Sequence, residues 1–206
     1  MKMKWLCVFC FLVACSAQSL FAQEWTPRTE KIIDKNIHKL WKKQTIRRVP
    51  LDTGLSLESK IFFDGNKLFE LRSDTQTEGY LILRRALGCK IGGCGVGNYN
   101  SSQVCHADGG AYEVFDYALF LGTDLTVKKV VVTDYPGDYG YEITAPGWLN
   151  QFIGYAGGDL RYGADVDAIS GATISANSIT WDLVETWKMF KKLLEAKHLF
   201  SSDAGR

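Results

Sequence analysis

The residues best equipped for chemistry form one short run, Asp167-Ala168-Ile169-Ser170-Gly171-Ala172-Thr173-Ile174-Ser175, which leads directly into an amphipathic segment. The start of a helix carries backbone N–H groups with no partner inside the helix, and the positive end of the helix dipole lies there. An anion is attracted to such a place, and Gly171 and Ala172 would let a phosphate approach the backbone closely. Ser170, Thr173 and Ser175 add hydroxyls that can donate hydrogen bonds or be esterified. The same composition also suits an ordinary helix-capping loop, since Ser, Thr and Gly are favoured there for local reasons.

A second group is the cysteines Cys89, Cys94 and Cys105, which lie in a stretch from Gly88 to Gly110 rich in Gly, Asn and Ser. The run Gly92-Gly93-Cys94-Gly95-Val96-Gly97 is not a dinucleotide loop: no helical pattern follows it and its third glycine is misplaced. Cys105-His106 lacks the nearby cysteine that a haem attachment site needs. A disulfide, a metal site with His106, and unpaired thiols all remain open on spacing alone.

The compartment weights that choice. Lys2 and Lys4 precede an apolar run from Trp5 to Ala14, too short to span a bilayer, and small residues follow up to Ala22-Gln23. Residues 1–22 therefore read as an export signal. Leu12-Val13-Ala14-Cys15 also resembles a lipobox, in which Cys15 would become a lipidated N-terminus. Disulfides persist outside the cytoplasm, so one bridge among Cys89, Cys94 and Cys105, involving Cys105, with one thiol left over is the expectation.

The chain has 206 residues, is 46% hydrophobic and carries a formal charge of +1, which becomes slightly negative once Lys2 and Lys4 leave with the leader. That balance argues against nucleic acid as a partner, whose binding rests on clustered cations. Residues 23–200 read as a single domain with an insertion at 88–110, and residues 201–206 as a frayed tail.

The elements that must position the run are legible in outline. Thr26-Pro27 is a helix start, and Ile33, Ile37, Leu40 and Trp41 recur at helical spacing, which predicts a helix over about 27–44. Short β-favouring runs at 46–49, 60–63, 67–71, 79–83, 111–122 and 127–133 predict strands, with Asp64-Gly65-Asn66 as a hairpin turn. Beyond Asn177, Ile179, Leu183, Trp187, Phe190 and Leu194 predict a C-terminal helix. The fold class is α+β: an antiparallel sheet with an N-terminal and a C-terminal helix packed on it.

The string Asp167-x-x-Ser170-Gly171-Ala172-Thr173 resembles the flavinylation motif of the FMN-binding domain family, which includes the C subunit of the sodium-translocating NADH:quinone oxidoreductase and the G subunit of the Rnf complex. The resemblance runs from about Gly79 to Ser178 and includes Pro136-Gly137 and the stretch from Trp148 to Gly154. It departs from the family at Thr133-Asp134-Tyr135, where a glutamate is usual and Asp134 or Glu142 would have to replace it, and at the cysteine-bearing insertion.

The resemblance implies that a flavin transferase places FMN on Thr173 as a phosphoester. Asp167, Ser170, Gly171, Ala172, Ser175, Pro136, Gly137 and Trp148 would surround the cofactor, with Arg161 as a nearby cation. Tyr135, Tyr139, Tyr141, Trp148 and Phe152 are the candidates for a wall against the flavin ring. The chain would then be an exported electron carrier, periplasmic or on the outer surface, working with redox partner proteins at the membrane. No nicotinamide motif or acid, base and nucleophile set supports a self-sufficient enzyme. A secreted flavin-dependent reductase and a flavin-free, disulfide-stabilised binding module are the alternatives.

Overall fold

The computed structural model describes residues 26–42, 45–51, 61–63, 67–90 and 112–203. The leader with Cys15, the Asp64-Gly65-Asn66 turn, Cys94, Cys105 and His106 lie outside the described residues. Five strands, β1 (Arg47–Pro50), β2 (Lys67–Arg72), β3 (Thr77–Lys90), β4 (Tyr112–Gly122) and β5 (Val127–Asp134), form one antiparallel sheet in chain order. Helix α1 (Pro27–Leu40) precedes it, a one-turn helix α2 (Pro146–Leu149) follows β5, and the long helix α3 (Thr173–Asp203) ends the described chain. The α+β class with a helix at each end is therefore the observed one.

The two long helices cover opposite faces of the sheet. Ile33 and Ile37 of α1 pack with Leu71, Leu81, Leu83, Ala118 and Phe120. Ile179, Leu183, Phe190 and Leu193 of α3 share the other core with Ile82, Ala86, Tyr117, Leu119 and Leu121. Alternate residues of a strand point to opposite faces, so strands covered on both sides need apolar residues at successive positions. Leu81-Ile82-Leu83 and Tyr117 to Leu121 supply them, all without solvent exposure.

Local chemistry sets the ends of α1. Thr26 accepts from the Thr29 backbone N–H at 3.2 Å and Pro27 occupies the first helical position. The helix stops at Leu40, with Trp41 as its C-cap, rather than running to 44; Trp41 leaves the helical conformation and packs against the core beneath α1. Four other boundaries differ from expectation. Residues 61–63 form a helical turn, not a strand, and β2 pairs with β1. β3 runs seven residues past the expected end, so residues 88–90 are sheet rather than insertion. α3 continues to Asp203, which shortens the expected tail. Its other end is at Thr173, four positions before the expected start.

One buried polar group ties α3 to the sheet. Arg84 on β3 donates from Nε to Asp182 Oδ2 at 3.1 Å and from Nη2 to Asp182 Oδ1 at 2.5 Å. Tyr117 on β4 donates to the same Oδ2 at 2.6 Å, and Arg84 Nη1 donates to the Phe62 carbonyl at 3.0 Å while its guanidinium lies over the Phe62 ring. Burial, reinforced by the Asp182 charge, holds the Tyr117 phenol well above its ordinary pKa, so it stays a donor. Removing one member of such a pair strands the other charge in the core. Asp182→Ala is expected to destabilise the fold by about 3–5 kcal/mol, and Arg84→Met with Asp182→Leu to recover much of that loss. Urea unfolding of the two single variants and the double variant checks it.

Candidate functional site

The run Asp167 to Ser175 forms the entry to α3, and side chains from the preceding loop hold its backbone. Trp148 Nε1 donates to the Asp167 carbonyl at 2.8 Å, and Gln151 Oε1 accepts from the Asp167 N–H at 2.9 Å. Tyr162 Oη accepts from the Ile169 N–H at 3.0 Å. Gly171 then takes a left-handed φ of 86°, a conformation costly to any residue with a Cβ, and turns the chain into the helix. The first helical bond runs from the Ala176 N–H to the Ala172 carbonyl at 2.9 Å. Ala172 is thus the cap residue, fully buried, and has no oxygen with which to satisfy the first-turn donors as Thr26 does for α1.

The three hydroxyls of the run have different surroundings. Thr173 is exposed at the first helical position, and Ser170 is exposed before the Gly171 turn. Ser175 is completely buried: its Oγ lies 2.9 Å from Tyr135 Oη and donates to Cys89 Sγ at 3.4 Å. Tyr135 Oη also donates to the Tyr139 carbonyl at 2.5 Å. Gly140, with φ 83°, fits among them, since a Cβ there would stand 2.7 to 2.8 Å from Tyr135 Oη, Cys89 Sγ and Ser175 Oγ.

Cys89 reaches this cluster through an irregularity. On β3, Leu81 and Leu83 face α1, while Ile82, Arg84 and Ala86 face α3. Strict alternation would turn Cys89 towards α1. The register of β3 against β4 slips between Leu87 and Lys90, and such a bulge reverses the alternation. Cys89 therefore points under α3, with Sγ 4.0 Å from the Gly171 carbonyl oxygen. Nothing in the sequence pattern marked this contact except that Cys89 lies near the start of the glycine-rich stretch. Cys89 is a free thiol, and the other disulfide candidates, Cys94 and Cys105, lie outside the described residues.

Other expected site residues divide clearly. Trp148 and Phe152 form an edge-to-face pair in the core, so they support the loop rather than offer a ring wall. Tyr135 is half-buried, and Tyr139 and Tyr141 stand 50% and 60% exposed. Pro136 is exposed; Gly137 is filled from within, because a Cβ there would fall on the Glu113 carboxyl. Asp167 is exposed. Arg161 is closed upon Asp165 through Nε at 2.9 Å and Nη2 at 3.2 Å, so an anion at Thr173 would rely on backbone donors. Glu142, expected only as a substitute, lies nearest to the turn: a Cβ on Gly171 would find its Oε1 at 3.9 Å and nothing closer. Among the described residues, its Oε2 is buried without a hydrogen-bond partner.

The fold and this site describe a small α+β domain with an anion-compatible helix entry and an adjacent hydroxyl. Compared with the models of known protein families and with curated proteins, the chain gives no significant match.

Two outcomes follow from the burial of the cluster. Cys89 has no exposed surface, so thiol reagents are expected to label it only after unfolding, as peptide mapping of native and denatured protein would record. Burial is the largest influence on the Tyr135 phenol; outweighing the opposing Ser175 hydrogen bond, it pushes the pKa from 10.0 up to about 12. The folded state then holds a proton that the unfolded chain releases sooner, so this contribution is complete below pH 10.0 and is lost as pH rises towards about 12. Tyr155, also pushed up to about 12, adds to the same loss. Tyr135→Phe should flatten the alkaline fall in stability, read as unfolding midpoints across that interval.

Proposed function

We propose that this chain is an exported electron carrier that bears FMN as a phosphoester on Thr173. The observation that carries the reading is the contrast between the hydroxyls of the motif. Thr173 stands exposed at the first position of α3 behind an alanine cap, while Ser175 is wholly buried and engaged by Tyr135 and Cys89. A transferase can reach the first and not the second.

The local residues fit the group. A phosphodiester carries about one negative charge, less than a free phosphate monoester, and open first-turn N–H groups suit it without a lysine cluster. Gly171 leaves space beside Thr173 that a side chain would fill, and Glu142 Oε1 is the group nearest to that space. In the attachment step the Thr173 hydroxyl gives up its proton and bonds to the FMN-side phosphorus of FAD. The pyrophosphate bond breaks and AMP leaves. Thr173 is the acceptor and not a catalyst, and Asp167, exposed with its backbone held at both ends, is the carboxylate the transferase and its metal can engage.

Bound FMN supplies one- and two-electron redox chemistry. The chain's part is to hold the phosphate, keep Ser175 and Cys89 out of reach of solvent, and present the flavin to redox partner proteins at the membrane. A covalent link suits export, since a cofactor lost by dissociation outside the cytoplasm has no pool to replace it.

Co-expression with a flavin transferase, followed by acid precipitation and peptide mass spectrometry, tests the reading. Flavin is expected on the Thr173 peptide and absent from Thr173→Ala, whose stability should change by less than about 0.5 kcal/mol. Asp167→Ala should slow loading more than it weakens the fold. Gly171→Val should block loading, through strain in the left-handed turn and loss of the space beside Thr173. Flavin on Ser170 or Ser175, or undiminished in Thr173→Ala, overturns the assignment.

A further inference from the structure

Independently of the flavin, we infer that the outer face of α1 docks the domain on an anionic phospholipid bilayer through Arg28, Lys31, Lys35 and Lys39. The face arises from a segregation of charge within one helix. At about 100° per residue those four side chains fall within an arc of about 80°, opposite the Ile33 and Ile37 stripe that packs on the sheet. All four are exposed, and so is Lys42 just past the helix end. The acidic residues of α1, Glu30 and Asp34, lie on one flank, where Arg48 of β1 pairs with them at 2.5 Å and 3.5 Å. Among the described residues, Arg28, Lys31, Lys35 and Lys39 have no ion-pair partner. The near-neutral balance of the whole chain hides this arrangement.

A helix face that only meets water is stabilised by opposite charges one turn apart. Here Lys31, Lys35 and Lys39 follow one another at spacings of four, where like charges repel. Lys39 also stands near Lys129 of β5, whose pKa is lowered by burial first and by the Lys39 charge second. Lys129 Nζ donates to Asn150 Oδ1 at 2.8 Å, which holds it beside the face. The repulsion weakens the isolated fold, and an external anion relieves it.

The make-up of the face selects among anions. Protein interfaces are anchored by buried aromatic and arginine side chains, and lysine is depleted there. The outer face of α1 has three lysines, one arginine and no Phe, Tyr, Trp or aliphatic side chain. Such a straight row, about 16 Å long, suits a surface of many equivalent phosphates, on which each cation contributes without a fitted pocket. α1 is also the first element after the leader-like residues 1–22. Because α1 and α3 cover opposite faces of the sheet, a bilayer against α1 leaves the α3 side turned away and open to approach.

Sedimentation of the full chain with vesicles carries the test, phosphatidylcholine alone being compared with phosphatidylcholine mixed with phosphatidylglycerol. The ratio of the two partition coefficients cancels any apolar attachment of the chain. It should stand well above one at low salt and fall towards one at high salt. Lys31→Gln with Lys35→Gln should lower it by roughly fivefold per charge removed. The unfolding midpoint of that variant should equal or exceed the wild-type value, since a repulsive pair is gone. Lys191→Gln with Lys192→Gln makes the same charge change at exposed positions of α3 and should leave the ratio unchanged. A wild-type ratio near one, or equal losses in the two double variants, overturns the inference. So does tighter association with poly-glutamate than with the anionic vesicles, which would assign the face to an acidic protein.

Discussion

The position of α3 on the sheet depends on the bidentate pairing of Arg84 with Asp182, completed by Tyr117. Apolar packing alone lets a long helix slide or rotate at modest cost, because one leucine can replace another in a groove. A buried guanidinium and carboxylate cannot be so exchanged, since any shift breaks two directional bonds and strands charge in the core. The pair therefore fixes both the rotation of α3 and its height along β3. Asp182 is nine residues from Thr173, so the same contact sets where the first turn of α3 comes to lie over the end of β3.

The sheet is irregular at that end. The slip between Leu87 and Lys90 turns Cys89 under α3, and the Cys89, Ser175 and Tyr135 contacts make the end of β3 the floor of the motif. The floor is short of hydrogen: three side chains with one proton each must serve one another and the Tyr139 and Gly171 carbonyls. An economy of this kind leaves little room for substitution. Above it, Ala172 at the helix cap contributes no acceptor at all, although serine, threonine or aspartate would stabilise an isolated helix better there. Local stability has been given up at this entry, as at the short α2, whose cap residue is Ala145, and kept at α1, where Thr26 caps in the ordinary way.

Much of the fold was legible because its signals are local and periodic. The apolar spacing of Ile33 and Ile37, and of Ile179, Leu183 and Phe190, is the spacing of a helix face, and both helices pack by those residues. The strands β2, β4 and β5 were found within a residue or two for the same reason. The failures are cases where tertiary contacts overrode the local pattern. Arg84 and Arg85 broke the apolar run of β3, and only Asp182 and Asp116, distant in sequence, show why charged residues belong in that strand. Ile61 to Phe63 has strand composition, but Phe62 instead gives its carbonyl and ring to Arg84. At the site, the motif and its exposed threonine were readable residue by residue. The positions of Cys89 and Glu142 were not, because the first depends on a bulge and the second on a turn folded back near Gly171.

Among the described residues, two carboxyl oxygens, on Glu113 and Glu142, are buried without a hydrogen-bond partner. Glu113 is pressed into the space that Gly137 leaves, a space the Tyr135 ring also borders. Glu142 lies nearest to the Gly171 turn. A fold that needed only to cap a helix would gain from neutral residues at both positions, since an unpaired buried acceptor costs free energy and contributes no packing that an apolar chain could not match. Binding sites commonly hold polar groups whose partners arrive with the ligand, and the cost is met when they do.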